Sequence, residues 1–250
     1  MPLAELNKEK DKSGLKEWLW SWIRDFIEVG FTVAIILIIL RITLGAHMLV
    51  PLVVVTSGSM VHGPNDNSWK TWLMDHNISS DSIENFPLRN GFYRGDMIIV
   101  ISPEAKLGDV VIYERDLVHI SIMGIEPIIH RAVGVAYVKD WQIINVTGTL
   151  DCITEENMQK YVQLIKECKE GKADSCPYPS IPEKSEFKMF ITKGDHNEAT
   201  DQCSPRGGIA LPINEAQITG RGWIRLPYIG YLKLILNGII SIFKWIFLGG

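Results

Sequence analysis

The sequence predicts a mainly β protein: an antiparallel β domain anchored by an N-terminal transmembrane helix, with an apolar or amphipathic helix at the C-terminus. Three observations predict this class. Apolar residues are concentrated at the two ends of the 250-residue chain. Short runs rich in Val and Ile, separated by Gly, Pro and Asp, fill the middle, as is typical of antiparallel strands. Outside the two ends the composition is that of an ordinary soluble domain.

The apolar segment over residues 26–44 is predicted to span a membrane. Its charges lie near its two ends, and at about 1.5 Å per residue its length of about 28 Å matches the hydrocarbon thickness of a bilayer. Three tryptophans just before it are typical of an interfacial aromatic belt: Trp18, Trp20 and Trp22. A buried core helix and a cleaved export signal are the alternatives, and the lack of a small-residue cleavage site disfavours the second. We therefore expect a tail over 1–25 and a retained anchor over 26–48.

The charges around this segment predict its orientation. Basic residues precede it and almost none follow it closely; those before it are Lys8, Lys10, Lys12, Lys16 and Arg24. By the positive-inside rule the N-terminus is expected in the cytosol and the chain from about residue 50 onward outside it. The membrane is then the cell membrane, or that of the endoplasmic reticulum in a eukaryote. The net charge of -4, without a basic cluster beyond the tail, disfavours nucleic-acid binding.

The middle of the chain, 49–226, is predicted to form the β domain. Its strands are expected at 49–55, 97–101, 110–113, 128–138, 141–146, 187–192 and 218–226. Two segments break this rhythm. The first, 61–93, is rich in Asp, Asn and Ser and is predicted to be a surface excursion, whereas the second, 150–186, contains a short helical pattern. Both are interpreted as insertions on the β core.

The C-terminal segment, 227–250, is apolar with one polar stripe. At 100° per residue four polar side chains fall on one narrow face: Lys233, Asn237, Ser241 and Lys244. This pattern fits a helix lying in the membrane interface as well as it fits a second spanning helix. The sequence leaves both open.

Four cysteines lie in the predicted exported domain: Cys152, Cys168, Cys176 and Cys203. An even number in an oxidising compartment predicts disulfides, and three pairings are open. Cys203 lies two residues after Asp201, so a bond from it to a cysteine of the 150–186 insertion would tether the loop that carries this acid. The lack of a CxxC spacing disfavours zinc, and we expect neither a metal nor a cofactor.

A candidate nucleophile lies directly after the first predicted strand of the domain, where the chain reads Thr56-Ser57-Gly58-Ser59-Met60. A serine after a glycine at the end of an apolar strand can stand clear of the sheet, because glycine permits a tight backbone path. Such a turn is more often only a loop. The interpretation as a nucleophile therefore depends on the segments further along the chain.

Four such segments occur in a fixed order: Arg94-Gly95-Asp96, Gly108-Asp109, His130-Arg131-Ala132-Val133-Gly134 and Lys193-Gly194-Asp195-His196-Asn197. With the anchor and the Ser-Gly-Ser-Met turn, this order resembles the type I signal peptidases, and within them the archaeal and endoplasmic-reticulum branch. The resemblance covers roughly residues 30 to 230. Each segment alone is weak, whereas the ordered set is specific.

The resemblance implies a role for each residue of the site. Ser59 matches the nucleophile, and His130 matches the general base, a position that is lysine in the bacterial branch. Asp201 matches the acid that orients the base, and Asp195 a second acid that also matters. The Ser59 backbone N–H and the Ser57 hydroxyl match the oxyanion donors. The chemistry agrees, because a serine hydroxyl needs an adjacent base and a neutral imidazole serves at pH 7.

The resemblance implies a membrane-bound serine endopeptidase that removes signal peptides from exported preproteins by cutting after small residues. Its partners are then signal peptides and the lipid bilayer, and the extended substrate is expected to pair as an added strand with an edge of the β domain. Two other functions stay open: an anchored binding module without catalysis, and a Ser/Lys protease with Lys193 as base. Lys193 itself is predicted to be solvated or ion-paired. His62 is the rival base to His130.

Overall fold

We describe the protein from a computed structural model. The structure describes residues 3–45, 48, 50–64, 66–203, 208–231 and 235, with side chains from residue 18 onward. The chain divides into two compact units, an N-terminal one that ends at Thr43 and a second that begins at Leu44. Most of the predicted C-terminal helix over 227–250 lies outside the described residues, which include only 227–231 and 235 of it.

The N-terminal unit is a single helix, α1 (Leu3–Leu44). Within the described residues one stretch, Trp18–Leu44, is long and apolar enough to cross a membrane, and none of its most apolar part is buried in the protein. The helix begins far before residue 26, so the tail predicted over 1–25 is helical from Leu3. It also ends before the predicted residue 48, because Gly45 adopts a left-handed φ of 63°, a common way to end a helix.

The second unit is built on one antiparallel sheet that curls into a half barrel. Its strands, in chain order, are β1 (Leu52–Val54), β2 (Met97–Ile101), β3 (Val110–Tyr113), β4 (Ile128–Lys139), β5 (Gln142–Gly148), β6 (Phe187–Lys193), β7 (Ile213–Asn214) and β8 (Ile218–Leu226). Their order in the sheet is β1-β2-β8-β3-β4-β6-β7, and β5 pairs with β4. The predicted antiparallel β domain is confirmed.

The predicted strands match those of the structure closely. β2, β3 and β8 have the predicted limits, and β4, β5 and β6 begin and end within two residues of them. The strand expected over 49–55 contracts to β1, because Pro51 has no N–H to donate to a ladder. Outside the insertions, three short elements had no counterpart in the prediction: β7, a 3-10 helix at Glu215–Gln217, and the helix α4 (Leu117–Met123), which Asp116 caps.

The two insertions are structured, and the first is more than a surface excursion. It contains α2 (Ser68–Asp75) and α3 (Ser80–Glu84), while the second contains the predicted helix, α5 (Glu155–Lys169). Apolar side chains from all three helices pack in one core with β4 and β6: Trp69, Leu73, Ile83, Met158, Val162, Ile165, Met189 and Ile191. The insertions therefore cover one face of the sheet. Burial of these large side chains makes their removal costly.

The residues of β4 alternate between two cores. Val133 lies in the core beneath the insertions, whereas Ala132 belongs to a second core with Tyr113 and Phe190. Neighbouring residues of a strand point to opposite faces, so β4 supplies both. The same alternation separates His130 from Arg131.

Two disulfides tie the insertion to the β core and to itself. Cys203 bonds Cys152, which confirms the expectation that it pairs with a cysteine of the 150–186 insertion. Cys168 bonds Cys176 across the end of α5. The Cys152–Cys203 bond closes a sequence separation of 51 residues, whereas the other closes 8.

Loop length predicts how much each disulfide contributes to stability. In the chain-entropy model the paired change Cys152→Ser with Cys203→Ser costs about 4 kcal/mol, and Cys168→Ser with Cys176→Ser about 2.5 kcal/mol. Thermal unfolding of the two variants in detergent measures the difference, and each variant is the other's control. Equal melting temperatures, or a larger loss from the shorter loop, would contradict this order.

Candidate active site

A tight turn after β1 holds Ser59. Val55 continues the strand by exchanging backbone hydrogen bonds with the turn before β2, and the Val61 N–H closes the turn on the Gly58 carbonyl at 3.2 Å. Met60 is buried, and its carbonyl accepts from Phe92 N–H at 2.9 Å. Ser59 is therefore half-exposed on a turn whose next residue is fixed in the core.

The loop after β6 packs directly against this turn. His196 N–H donates to the Ser59 carbonyl at 2.8 Å. A Cβ on Gly194 would lie 2.8 Å from that carbonyl oxygen and 2.9 Å from the Ser59 Cβ, closer than side chains approach. Position 194 therefore requires glycine, which gives the Lys-Gly-Asp segment a physical reason: it lets the two loops touch.

His130 reaches Ser59 from the middle of the sheet. It lies in β4 opposite Val111 of β3, and it is 5% exposed. Its Nε2 lies 2.8 Å from the Ser59 Oγ. Its Nδ1 lies 2.9 and 2.7 Å from the two carboxylate oxygens of Asp201. The three side chains thus form one hydrogen-bonded chain, in which Nδ1 donates to the carboxylate and Nε2 can accept the serine proton.

The Asp201 carboxylate is buried, and both of its oxygens accept hydrogen bonds. Besides His130, its Oδ2 accepts hydrogen bonds from the Tyr113 hydroxyl at 2.9 Å and from the Thr192 hydroxyl at 2.6 Å. Its backbone N–H donates to the Thr192 carbonyl at 2.8 Å. Cys203, two residues further on, joins this loop to the insertion. Both the side chain and the loop of Asp201 are therefore held from several sides.

Asp195 has a different partner, Arg131. The guanidinium donates to both carboxylate oxygens, at 2.8 and 2.7 Å, and His62 Nε2 lies 2.9 Å from Oδ2. Burial alone would raise the pKa of Asp195, but the Arg131 charge and the His62 hydrogen bond outweigh it and lower the pKa to about 2. The His62 ring stacks on Trp69 and faces this ion pair, so in the structure His62 serves Asp195 and leaves Ser59 to His130.

Lys193 is buried, which corrects the prediction that it is solvated or ion-paired. Its ammonium donates to the carbonyls of Gly194 and Asp195 and lies 4.7 Å from the Trp72 ring centroid. Among the described residues it makes no ion pair and no hydrogen bond to Ser59. Burial lowers the pKa of Lys193, although the charges of Asp195 and Asp201 oppose the change. The first insertion shields Lys193 from solvent, because Trp72 of its helix α2 packs over the ammonium.

One expected oxyanion donor, the Ser57 hydroxyl, lies next to the Ser59 hydroxyl. The Ser57 Oγ is 3.1 Å from the Ser59 Oγ. Within the described residues the Ser59 backbone N–H makes no hydrogen bond, so it is free to donate. An N–H and a hydroxyl next to the attacking oxygen are the groups that stabilise a tetrahedral oxyanion.

Ser59 and His130 lie in an open groove of about 540 Å³. Its walls are mainly apolar: Met48, Leu52, Val53, Val54, Pro127, Ile128, Ile129 and Ile209, with Arg115, Glu126 and Asn197 among the polar residues. One wall is β1, an edge strand of the sheet. The other is the start of β4, which pairs with β6 only from Arg131 onward. Among the described residues both walls thus present unpaired backbone groups to the groove.

The structure brings Ser57, Ser59, His130 and Asp201 together and sets Asp195 apart behind the Ser59 turn. Sequence reasoning missed Tyr113 and Thr192, which both contact Asp201. One signal was present for Tyr113: it is a polar aromatic residue at the end of an otherwise aliphatic strand, Val110–Tyr113. A buried tyrosine hydroxyl needs a partner, and an acid is one of the partners it can take.

Comparison with known proteins finds no matching family model, no matching curated protein and no matching solved structure. The function is therefore argued from the geometry of the site.

The depressed pKa of Asp195 predicts a pH-dependent contribution to stability. Because the folded pKa, about 2, lies below the ordinary value of 3.8, the carboxylate stabilises the fold above pH 4 and loses this contribution as the pH falls towards 2. Asp195→Asn should lower the free energy of unfolding at pH 7 by at least about 2 kcal/mol.

Urea unfolding at pH 7, 5, 4 and 3 measures this, with the exposed Asp174→Asn as the matched control. The gap between Asp195→Asn and wild type should shrink as the pH falls below 4. A loss no larger than that of the control, or one independent of pH, would contradict the assignment.

Proposed function

We propose that this protein is a membrane-anchored serine endopeptidase that removes signal peptides from exported preproteins. The observation that carries the proposal is the hydrogen-bonded chain from Ser59 through His130 to the buried Asp201, at the floor of a groove with unpaired strand edges. The ordered segments that resemble the archaeal and endoplasmic-reticulum signal peptidases support the same conclusion.

The proposed mechanism gives each group of the site a defined role. His130 Nε2 takes the proton from the Ser59 Oγ as this oxygen attacks the scissile carbonyl carbon. The Asp201 carboxylate holds the imidazole through Nδ1 and stabilises the positive charge that forms. The Ser59 N–H and the Ser57 hydroxyl stabilise the oxyanion. His130 then gives its proton to the leaving amine. A water molecule, deprotonated by the same Nε2, attacks the ester carbon, and the Ser59 Oγ leaves as it takes the proton back from His130.

The groove suits an extended, apolar peptide. A substrate strand between β1 and the start of β4 would pair with the unpaired backbone groups of either wall. This pairing would place the scissile carbonyl next to Ser59. Backbone pairing is independent of side chains, so it suits an enzyme that acts on many preproteins. The resemblance adds that the residues at the first and third positions before the cut are small.

The position of Ser59 in the chain supports a membrane-proximal substrate. Ser59 is the fifteenth residue after Leu44, the last residue of α1. At no more than about 3.5 Å per residue the nucleophile stays within about 50 Å of the end of the anchor. With the N-terminus in the cytosol, as the basic residues before the helix predict, the domain works on the side where an exported chain emerges.

Replacing the nucleophile tests the proposal. Full-length protein in detergent should cleave a preprotein once, after its signal peptide, and Ser59→Ala should reduce the rate to a few per cent of wild type or less. The matched control is Ser82→Ala, an exposed serine in α3, which should cleave like wild type. Mass spectrometry of the products locates the cut. A normal rate for Ser59→Ala would refute the nucleophile, and an uncleaved preprotein with the wild type would favour a binding module.

Replacing each acid by asparagine separates their roles. Asn keeps the side-chain volume but presents the wrong hydrogen-bonding group to the imidazole, a change that costs about 10⁴ in turnover in a well-studied Ser-His-Asp site. We expect Asp201→Asn to lose several orders of magnitude in kcat with little change in melting temperature. Asp195→Asn should lose less activity and more stability, because it leaves Arg131 unpaired. The opposite order, with both folds intact, would exchange the two roles.

A further inference from the structure

The Asp201 carboxylate receives more hydrogen bonds than the proposed mechanism needs. The mechanism uses only the bond from His130, which orients the imidazole and stabilises the charge it gains from Ser59. Two hydroxyls from neighbouring strands add to it: Tyr113, the last residue of β3, and Thr192 in β6. Both side chains are completely buried, and their hydroxyls lie 3.2 Å apart.

All three donors meet at one oxygen. Asp201 Oδ2 lies 2.7 Å from His130 Nδ1, 2.9 Å from the Tyr113 hydroxyl and 2.6 Å from the Thr192 hydroxyl, while Oδ1 has only His130 within reach among the described residues. A buried carboxylate without donors is costly, and each charge-assisted bond stabilises its ionised form. The hydroxyls also fix the rotation of the carboxylate, which determines the edge that faces the imidazole.

We infer that Tyr113 and Thr192 are positioning residues that hold the Asp201 carboxylate ionised and oriented towards His130. The inference rests on the proposed function and deepens it, extending the chain of Ser59, His130 and Asp201 by two hydroxyls that touch no substrate. β3, β4 and β6 then each supply one group to the carboxylate.

The contrast with a second buried tyrosine distinguishes positioning from packing. The Tyr178 hydroxyl donates to the Pro212 carbonyl at 3.2 Å, a neutral partner. Burial raises the pKa of both tyrosines, and the Asp201 charge raises that of Tyr113 further. Tyr113 therefore stays protonated and can only donate to the carboxylate. Removing either hydroxyl alters packing to a similar extent, but only Tyr113→Phe removes a donor from an acid.

Other charged groups near this network are present in every variant. His130 of β4 and Lys193 of β6 act on the Asp201 carboxylate, and the charge of Arg115, which follows β3, acts on Tyr113. Loss of the Tyr113 hydroxyl leaves the Asp201 charge less satisfied, so Asp201 binds a proton more readily and also interacts more strongly with a protonated His130. Both effects move proton uptake by the pair to higher pH.

The test compares Tyr113→Phe, Thr192→Val and the control Tyr178→Phe in the full-length protein. For the first two we expect kcat to fall about threefold to tenfold with KM within twofold, and the acid limb of kcat to move up by about half a pH unit. Tyr178→Phe should match wild type in all three. In a double-mutant cycle the first two changes should be non-additive, since both donors serve one oxygen.

A second readout needs no activity. In protein labelled with ¹³C at histidine, and with the His130 signal assigned from His130→Ala, NMR titration follows protonation of His130 directly. Its midpoint should rise in Tyr113→Phe and stay unchanged in Tyr178→Phe. If Tyr113→Phe does not fold, Thr192→Val decides by the same criteria.

Each outcome bears on one claim. A lower kcat with an unmoved acid limb and an unmoved His130 titration would show a packing role and overturn the inference, as would variants identical to wild type. A wild-type protein that cleaves no preprotein would instead contradict the proposed function. The NMR titration would in that case still show whether the two hydroxyls control Asp201 and His130.

Discussion

The hydrogen bond between His130 and the buried carboxylate of Asp201 is the interaction on which the candidate site depends. A carboxylate with almost no access to water is stable only when donors replace its hydration. Here those donors come from three strands, so the carboxylate is satisfied only if β3, β4 and β6 have their native register. Because burying the Asp201 charge is costly without these donors, the candidate site forms only when the three strands pair in their native register.

A second buried acid supports the other half of the site. Asp195 pairs with Arg131, and its backbone N–H lies against the Met60 sulfur at 3.3 Å, behind the turn that carries Ser59. Its loop also donates the His196 N–H to the Ser59 carbonyl. One segment of about ten residues after β6 therefore fixes both the proposed nucleophile, through Asp195, and the proposed base, through Asp201. The Cys152–Cys203 disulfide ties the end of that segment to the insertion.

Local sequence patterns predicted the strands, whereas the roles of the two acids were predicted only through the resemblance. Aliphatic runs between turn formers define β2 and β3 locally, so their limits needed no tertiary information. Which acid faces His130 depends instead on long-range register. His130 and Arg131 are neighbours in β4, and their side chains point to opposite faces of the sheet. The pairing of β6 with β4 places the segment after β6 so that Asp201 reaches one face and Asp195 the other. The burial of Lys193 could not be predicted from the sequence either, because it depends on where α2 packs.

The most direct test of the account is the covalent intermediate. A peptide ester with the sequence of a signal peptide, mixed with the full-length protein and quenched with acid, should leave the acyl group attached through an ester to Ser59. Peptide mapping by mass spectrometry locates it, and His130→Ala should greatly slow its formation. Acylation of a different residue, or formation of the adduct at an unchanged rate without His130, would contradict the claim that the chain from Ser59 through His130 to Asp201 is the catalytic apparatus of this protein.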